Sequence, residues 1–366
     1  MNKIDLVKVS LKEKDYNVII GKNLLKHQKK KIFSNINGTK RIFIITDTVI
    51  KKLHLKKFLK SIPNNFITET IIIKHGEKTK QLGTVQQIIN SLLKKKISRT
   101  DVIFALGGGV VGDISSFVAS IILRGVRLIH FPTTLLAQVD SSIGGKNGVN
   151  TMHGKNLVGT FYQPKLVVCD IDFLLTLPKR EILSGYAEVI KYSILSDKNF
   201  FFWLKYQINK TLIYDPNILR KVVKKCVFIK SSIVTKDEKD VKNKRALLNL
   251  GHTYGHALEK CCKYSKSLLH GESISIGICM ASELSFILGF LSLNHLEEIK
   301  KIFISIGLPT TLLFLKKFKI KKNDIIKNMM FDKKVLNEKL NFVLCKRVGK
   351  AFIYNKVDLN SIKKSI

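Results

Sequence analysis

The 366 residues are too many for one comfortable hydrophobic core and point to two domains. An apolar fraction of 45% and only six prolines argue against long disordered linkers. The formal charge of +37 rests on 56 lysines and 8 arginines spread along the chain, which fits steering of anionic small molecules and argues against a concentrated nucleic-acid stripe.

The opening M-N-K-I-D-L-V-K-V-S lacks the apolar run of a secretory signal. Buried-type strands are expected at 41–47, 69–73, 101–106 and 127–132, with a helical period over 84–95. Strands alternating with helices imply a mainly parallel, doubly wound sheet whose ligands lie beyond the carboxyl ends of its strands. The segment D-V-I-F-A-L-G-G-G-V-V-G-D reads as strand, glycine turn, then a helix over 114–123. Gly107, Gly109 and Gly112 satisfy G-x-G-x-x-G, where glycines let the backbone approach a pyrophosphate at a helix N-terminus. The strand is not the first of the domain, and no acidic residue follows about twenty positions later to hold a ribose. Asp47 or Glu77 would have to do that, so a Rossmann-like variant is expected. Residues 140–164 are rich in Gly, Asn and Lys with little apolar periodicity, and read as a long functional loop. After a strand-like run at 165–170 the texture turns helical. The boundary is placed near residue 172, giving an α/β domain over 1–172 and a mostly α-helical domain over 173–366.

Pro178 suits a helix start, with Glu181 in its first turn. The apolar stretch 273–293 approaches membrane-span length, but Glu283 at its middle and recurring serines favour a buried helix. Cysteines at 169, 226, 261, 262, 279 and 345 form no C-x-x-C pair, which fits a reduced cytoplasm. His252 and His256 stand one helical turn apart, followed by His270 and preceded by Glu188. Imidazoles with a carboxylate are the donor set of a catalytic zinc, although two satisfied core histidines would give the same spacing.

Taken together, G-G-G-V-V-G-D, F-P-T-T-L-L-A-Q-V-D-S-S-I-G-G-K-N-G-V-N, F-L-L-T-L-P-K-R-E-I-L-S-G-Y-A-E-V-I-K-Y, L-N-L-G-H-T-Y-G-H-A-L-E and H-G-E resemble the 3-dehydroquinate synthase family, in order and over nearly the whole chain. The resemblance implies conversion of 3-deoxy-D-arabino-heptulosonate 7-phosphate to 3-dehydroquinate and phosphate, the second step of the shikimate pathway. It implies NAD that is regenerated in each turnover, a divalent metal (Zn2+ or Co2+) and a cytoplasmic homodimer, with no nucleic-acid or membrane partner.

By the same resemblance, Glu188, His252 and His270 match the metal ligands, and His256 matches a substrate contact. Lys146, Asn249, His256 and one of Lys333 and Lys334 match a phosphate pocket. Arg124 matches an arginine supplied by the other subunit. Lys230 and Arg245 match the holders of the substrate carboxylate, and Asp140 and Lys191 match contacts to ring hydroxyls. For NAD the matching residues are Asp47, His75, Gly76, Glu77, Lys78, Thr79, Lys80, Gly109, Val110, Val111, Gly112, Asp113, Thr133, Thr134, Lys146, Lys155, Phe173, Leu174, Leu175 and Thr176.

This chain departs from the family pattern in two places. It has His75 where an acidic residue is usual, and one extra residue between Asp237 and Arg245. The rival readings are another sugar phosphate cyclase or a metal-dependent polyol dehydrogenase, which would release NADH. A nucleic-acid-binding protein is suggested by charge alone.

Overall fold

The computed structural model describes residues 3–12, 15–207, 212–335 and 341–366, with the side chains of 212 and 331–335 outside that description. The chain divides into two compact units, one of Met1–Pro178 with Leu219–Lys239 and the other of Lys179–Ile218 with Asp240–Ile366. The first division falls a few residues past the expected boundary at 172. The return of Leu219–Lys239 to the first unit has no counterpart in the sequence reading, because a helical period does not say which unit a helix packs against.

The first unit is built on β1 (Asp5–Val9), β2 (Tyr16–Gly21), β3 (Arg41–Asp47), β4 (Ile67–Ile73), β5 (Val102–Gly107), β6 (Arg127–Pro132), β7 (Lys146–Thr151), β8 (Gly154–Phe161) and β9 (Leu166–Asp170). Seven of these form one sheet in the order β1-β2-β9-β6-β5-β3-β4. Only β1 and β2 pair antiparallel in it. Phe43, Ile45, Ile103 and Ala105 fill the core on one face, while Ile42, Ile44, Phe104 and Leu106 fill it on the other. A strand buried on both faces cannot alternate with polar residues, which explains the unbroken apolar runs. Each such Ile or Phe contributes roughly 1.5–3 kcal/mol on burial. Helices α1 (Leu82–Lys94) and α2 (Gly109–Ile121) cover the first face through Val85, Ile88, Leu92, Val111, Ile114 and Val118. Helix α2 begins inside the glycine motif, earlier than the expected 114.

The expected loop at 140–164 is corrected by the structure: β7 and β8 form a separate antiparallel hairpin within it. Gly148 and Gly159 face each other there, and a Cβ on Gly159 would overlap the Asn147 oxygen. The hairpin closes by glycine contact and by Thr160–Asn147 hydrogen bonds of 3.0 and 3.2 Å, so apolar alternation gave no signal.

The second unit starts with α3 (Lys179–Ser196) and α4 (Lys198–Gln207), and the next helix, α5 (Pro216–Lys236), runs mostly with the first unit. Then come α6 (His252–Cys261), α7 (His270–Ile287), α8 (Leu293–Ile306) and α9 (Lys322–Val335), the hairpin β10 (Phe342–Arg347) and β11 (Lys350–Tyr354), and α10 (Leu359–Ser365). The apolar stretch 273–293 supplies the buried helix α7, whose Glu283 meets Lys300 at 2.7 Å. Its Ser275 and Ser285 hydroxyls donate to main-chain oxygens at 2.7–2.9 Å. Among the described residues no helix is long and apolar enough to cross a membrane. All six cysteines are free thiols, and burial pushes Cys279 and Cys345 up to about 12.

Candidate active site

In the first unit the expected nucleotide residues gather where the parallel strands end. Strand β3 has β4 on one side and β5 on the other, so connections diverge between β3 and β5, the kind of switch point at which open α/β sheets bind ligands. Asp47 closes β3 and Gly107 closes β5. Asp47 Oδ1 accepts from the Val49 and Ile50 amides at 2.8 and 2.9 Å, while Oδ2 lies 3.2 Å from His75 Nδ1. The imidazole that replaces the usual acidic residue therefore sits on the carboxylate expected to take the ribose. Gly107 cannot carry a side chain, because a Cβ would collide with Val111. Gly108 caps α2 without any side-chain hydrogen bond, so the first amides of α2 face the end of the sheet with no capping side chain over them. Thr133 donates its amide to Gly107 O at 3.0 Å, and Thr134 Oγ1 accepts from the Ala137 amide at 3.1 Å.

The segment holding Gly76, Glu77, Lys78, Thr79 and Lys80 is tied to the β7–β8 hairpin. Asn150 donates its amide to Lys80 O and its side chain to Glu77 Oε1, both at 2.8 Å. Lys80 Nζ pairs with Asp113 and reaches Asn156 Oδ1 at 2.5 Å. Burial raises the Asp113 carboxyl above its ordinary value, against the pull of Lys80. Lys155 is carried on β8, and Lys146 opens β7 with its ammonium 5.9 Å from the Phe161 ring centroid. Two expected contacts are core residues: Phe173 and Leu174 are buried, Phe173 within the apolar cluster, and only Leu175 and Thr176 reach the surface side. Thr176 Oγ1 meets His54 Nε2 at 2.8 Å, a neighbour that no motif flagged. Asp140 and Lys230 meet in this unit through bonds of 2.7 Å.

The second unit assembles the carboxylate and imidazoles. Two glycines set its spacing. A Cβ on Gly271 would overlap Ser184 O, so only glycine lets the start of α7 press onto α3. Gly251, at φ 77, precedes α6 in the left-handed region, where its oxygen abuts Gly277 of α7. Arg180 clamps the same corner, with Nε 2.6 Å and one terminal nitrogen 2.8 Å from the Glu272 carboxylate and further bonds to Lys266 O and Ser267 O. Glu272 in turn accepts from the Leu269 amide at 2.8 Å. That explains an arginine in a lysine-rich chain, since a planar fork can serve four acceptors.

On this frame Glu188 of α3, His252 of α6 and His270 of α7 offer ligand atoms within 4.8 Å of one another. Both Nε2 atoms lie 3.6 Å from Glu188 Oε1, and Glu188 is fully buried. His252 Nδ1 lies 3.2 Å from Leu250 O, and His270 Nδ1 lies 3.4 Å from Glu259 Oε1. Lys191, one turn along α3, pairs with Glu188 Oε2. Burial, aided by the Lys191 charge, pushes His252 down to about 3, a neutral ring with a lone pair to give. For His270 burial also favours the neutral form, but the bonds to Glu188 and Glu259 outweigh it and raise the ring to about 10. A divalent cation between these donors would replace the proton on Nε2, so the donor set fits a metal. His256 is exposed, its ring centroid 5.2 Å from that of His252, and it lies outside this donor cluster.

Arg245 is buried where Lys244 is exposed, and Asn249 is exposed at the end of the turn Arg245–Asn249. Arg124 is exposed in a left-handed turn. The side chains of Lys333 and Lys334 lie outside the described residues.

A glycine turn on a parallel sheet and a carboxylate–imidazole cluster in a helical unit are the equipment of a metal- and dinucleotide-using enzyme. Family profiles described as 3-dehydroquinate synthase N-terminal and C-terminal match residues 70–184 and 185–335. A 3-dehydroquinate synthase of Buchnera aphidicola is 43% identical over 98% of this chain and 99% of that protein. One from Paracoccus denitrificans is 41% identical over 97% and 96%. Among solved structures, a 2-epi-5-epi-valiolone synthase from Streptomyces hygroscopicus with NAD+ and Zn2+ bound has a TM-score of 0.87 at 23% identity, covering 97% of each chain. A 2-deoxy-scyllo-inosose synthase complexed with carbaglucose-6-phosphate, NAD+ and Co2+ has a TM-score of 0.85 at 26% identity, covering 98% of each. This chain belongs to the 3-dehydroquinate synthase family.

Proposed function

We propose that the chain converts 3-deoxy-D-arabino-heptulosonate 7-phosphate to 3-dehydroquinate and phosphate as a cytoplasmic homodimer that does not take nucleic acid as a partner. The observation that carries this reading is the Glu188–His252–His270 cluster around the buried Glu188, held in a chain 43% identical over 98% of its length to a 3-dehydroquinate synthase. Glu188, His252 and His270 would hold Zn2+ or Co2+, and residues 1–172 would hold NAD at the sheet ends. The metal supplies Lewis-acid polarisation of a substrate oxygen, and NAD supplies a reversible hydride acceptor.

The protein's own groups do the rest. The amides opening α2, with Asp47, Glu77 and Lys80 around them, orient the dinucleotide. Lys230 holds Asp140 in place toward the ring hydroxyls. The buried Arg245 guanidinium suits a carboxylate held by two parallel bonds. Lys191, buried beside Glu188, puts Nζ within reach of a ring hydroxyl. Lys146, Asn249 and His256, with Lys333 or Lys334, take the phosphate.

Phosphate release from the heptulosonate, measured with and without NAD+ and a chelator, tests the reading. Activity should require both NAD+ and metal, with no NADH accumulating over many turnovers. One NADH released per turnover would establish the dehydrogenase reading instead.

A further inference from the structure

We propose that Glu259 is a positioning residue for the metal centre: from the buried face of α6 it holds the Nδ1 side of His270, so that Nε2 is the atom left for the metal. The inference rests on the metal-site reading above.

Both imidazoles of the cluster have the same polarity. Each turns Nε2 to Glu188 Oε1 at 3.6 Å, and each has Nδ1 engaged behind it, His252 by Leu250 O at 3.2 Å and His270 by Glu259 Oε1 at 3.4 Å. The backing groups differ in kind. One is a neutral carbonyl two residues before the ligand on the same chain segment, the other a carboxylate brought from a different helix. Glu259 is only 5% exposed, and a carboxylate so deeply buried requires donors directed at it. It stands seven residues beyond His252 on α6, two helical turns along the same face. A single helix therefore presents one ligand and the brace of the next.

Both ligands open their helices, His252 in α6 and His270 in α7, so neither has a preceding helical turn beneath its ring. The loop carbonyl of Leu250 backs His252, whereas on the Nδ1 side of His270 the described residues place the Glu259 carboxylate and no such carbonyl. An outer carboxylate on a ligating histidine fixes the ring and makes the bound nitrogen a stronger donor.

The test uses the full chain, stripped of metal by a chelator and titrated with Co2+, whose visible bands report ligand geometry. Wild type should bind one Co2+ per chain and His270→Ala none. Glu259→Gln keeps the size of the side chain but not its charge, and should bind about 10–100-fold more weakly with displaced bands. Nitrogen-15 spectra of histidine in the Zn2+-loaded wild type give a second reading that needs no variant at Glu259. The signals lost in His270→Ala should show metal on Nε2 and a proton on Nδ1. Metal on Nδ1, or wild-type affinity and bands in Glu259→Gln, would overturn the proposal while leaving the metal site standing. No Co2+ bound by wild type would overturn the metal site itself and this proposal with it.

Discussion

Lys230 Nζ lies 2.7 Å from Asp140 Oδ1 and 2.7 Å from the main-chain oxygen of the same residue. One ammonium thus fixes both the side chain and the backbone of Asp140, ahead of the β7–β8 hairpin. The Lys230 side chain is 8% exposed and that of Asp140 26%, so the pair is shielded from the screening that weakens surface ion pairs. Lys230→Ala should lower kcat/KM by ~2–3 kcal/mol, the scale of a charge-assisted hydrogen bond. Asp140→Asn should cost less in the Lys230→Ala background than in wild type, by ~1 kcal/mol or more. Kinetics on the four proteins of the cycle measure this, and strictly additive losses would show that the two residues act separately.

Two glycines, Gly271 of the second unit and Gly83 of the first, give a contrast. Gly271→Ala should fail to bind Co2+ stoichiometrically and should unfold at lower denaturant, since its new methyl would displace Ser184 and the helix carrying Glu188. Gly83, near the start of α1, has nothing within 4 Å of where a Cβ would stand and no positive φ. Gly83→Ala should instead stabilise the chain by about 0.4–1 kcal/mol. Urea midpoints and Co2+ stoichiometry together check both outcomes.

Two buried groups of the first unit titrate in opposite senses. His130, under Gly112 and 3.1 Å from Ser116 Oγ, is pushed down by burial from 6.5 to about 4. Its unfolded form takes a proton first, so acidification from pH 6.5 toward 4 favours unfolding. Asp170 is raised by burial from 3.8 to about 6, so over nearly the same range its folded form takes the proton first and acid favours folding. Each contribution is about 3 kcal/mol, and they largely cancel in wild type. His130→Gln should therefore gain stability relative to wild type as pH falls from 6 to 4, and Asp170→Asn should lose it. Denaturation midpoints across that range decide the matter, and parallel curves for all three proteins would contradict it.

Leu123, Arg124 and Gly125 have φ of 50, 64 and 120, a run that costs strain at two non-glycine residues and projects the arginine outward. If Arg124 serves the other subunit, mixing Arg124→Ala with Lys191→Ala should restore about a quarter of wild-type activity, as expected from random two-fold dimers. Each variant alone should be nearly inactive. Absence of recovery in verified mixed dimers would place Arg124 in its own subunit's site.

The sequence revealed β3 and β6 to the residue, because an apolar run bounded by polar ends has few other meanings. It was silent on strand order, which depends on which neighbours pair across long separations, and so the switch point between β3 and β5 was not readable. The β7–β8 hairpin escaped because glycine and asparagine make it, with no apolar period to see. Within the cluster, Glu188, His252 and His270 could be named from residue type and motif. Glu259 could not, because an acidic residue near the end of a helix looks the same whether it faces solvent or a histidine from another helix. Arg180 is one of only eight arginines, but its partner Glu272 lies far along the chain, so no motif pairs the two. Phe173 and Leu174 stand at motif positions too, but their side chains belong to the core, which the motif alone does not reveal.

The helix that opens at Pro216 leaves the stretch of chain around it and joins the first unit from Leu219 to Lys239. There Arg220 and Lys224 pair with Asp5, and Lys230 pairs with Asp140. The polypeptide therefore passes from one unit to the other three times, and neither unit is a single continuous segment. A protease that cuts once at a crossing leaves the two units still linked through the other crossings, and a gene fragment ending at Pro178 would lack the cations that pair with Asp5 and Asp140. Anyone wishing to study the nucleotide unit alone would need to splice 219–239 back onto it.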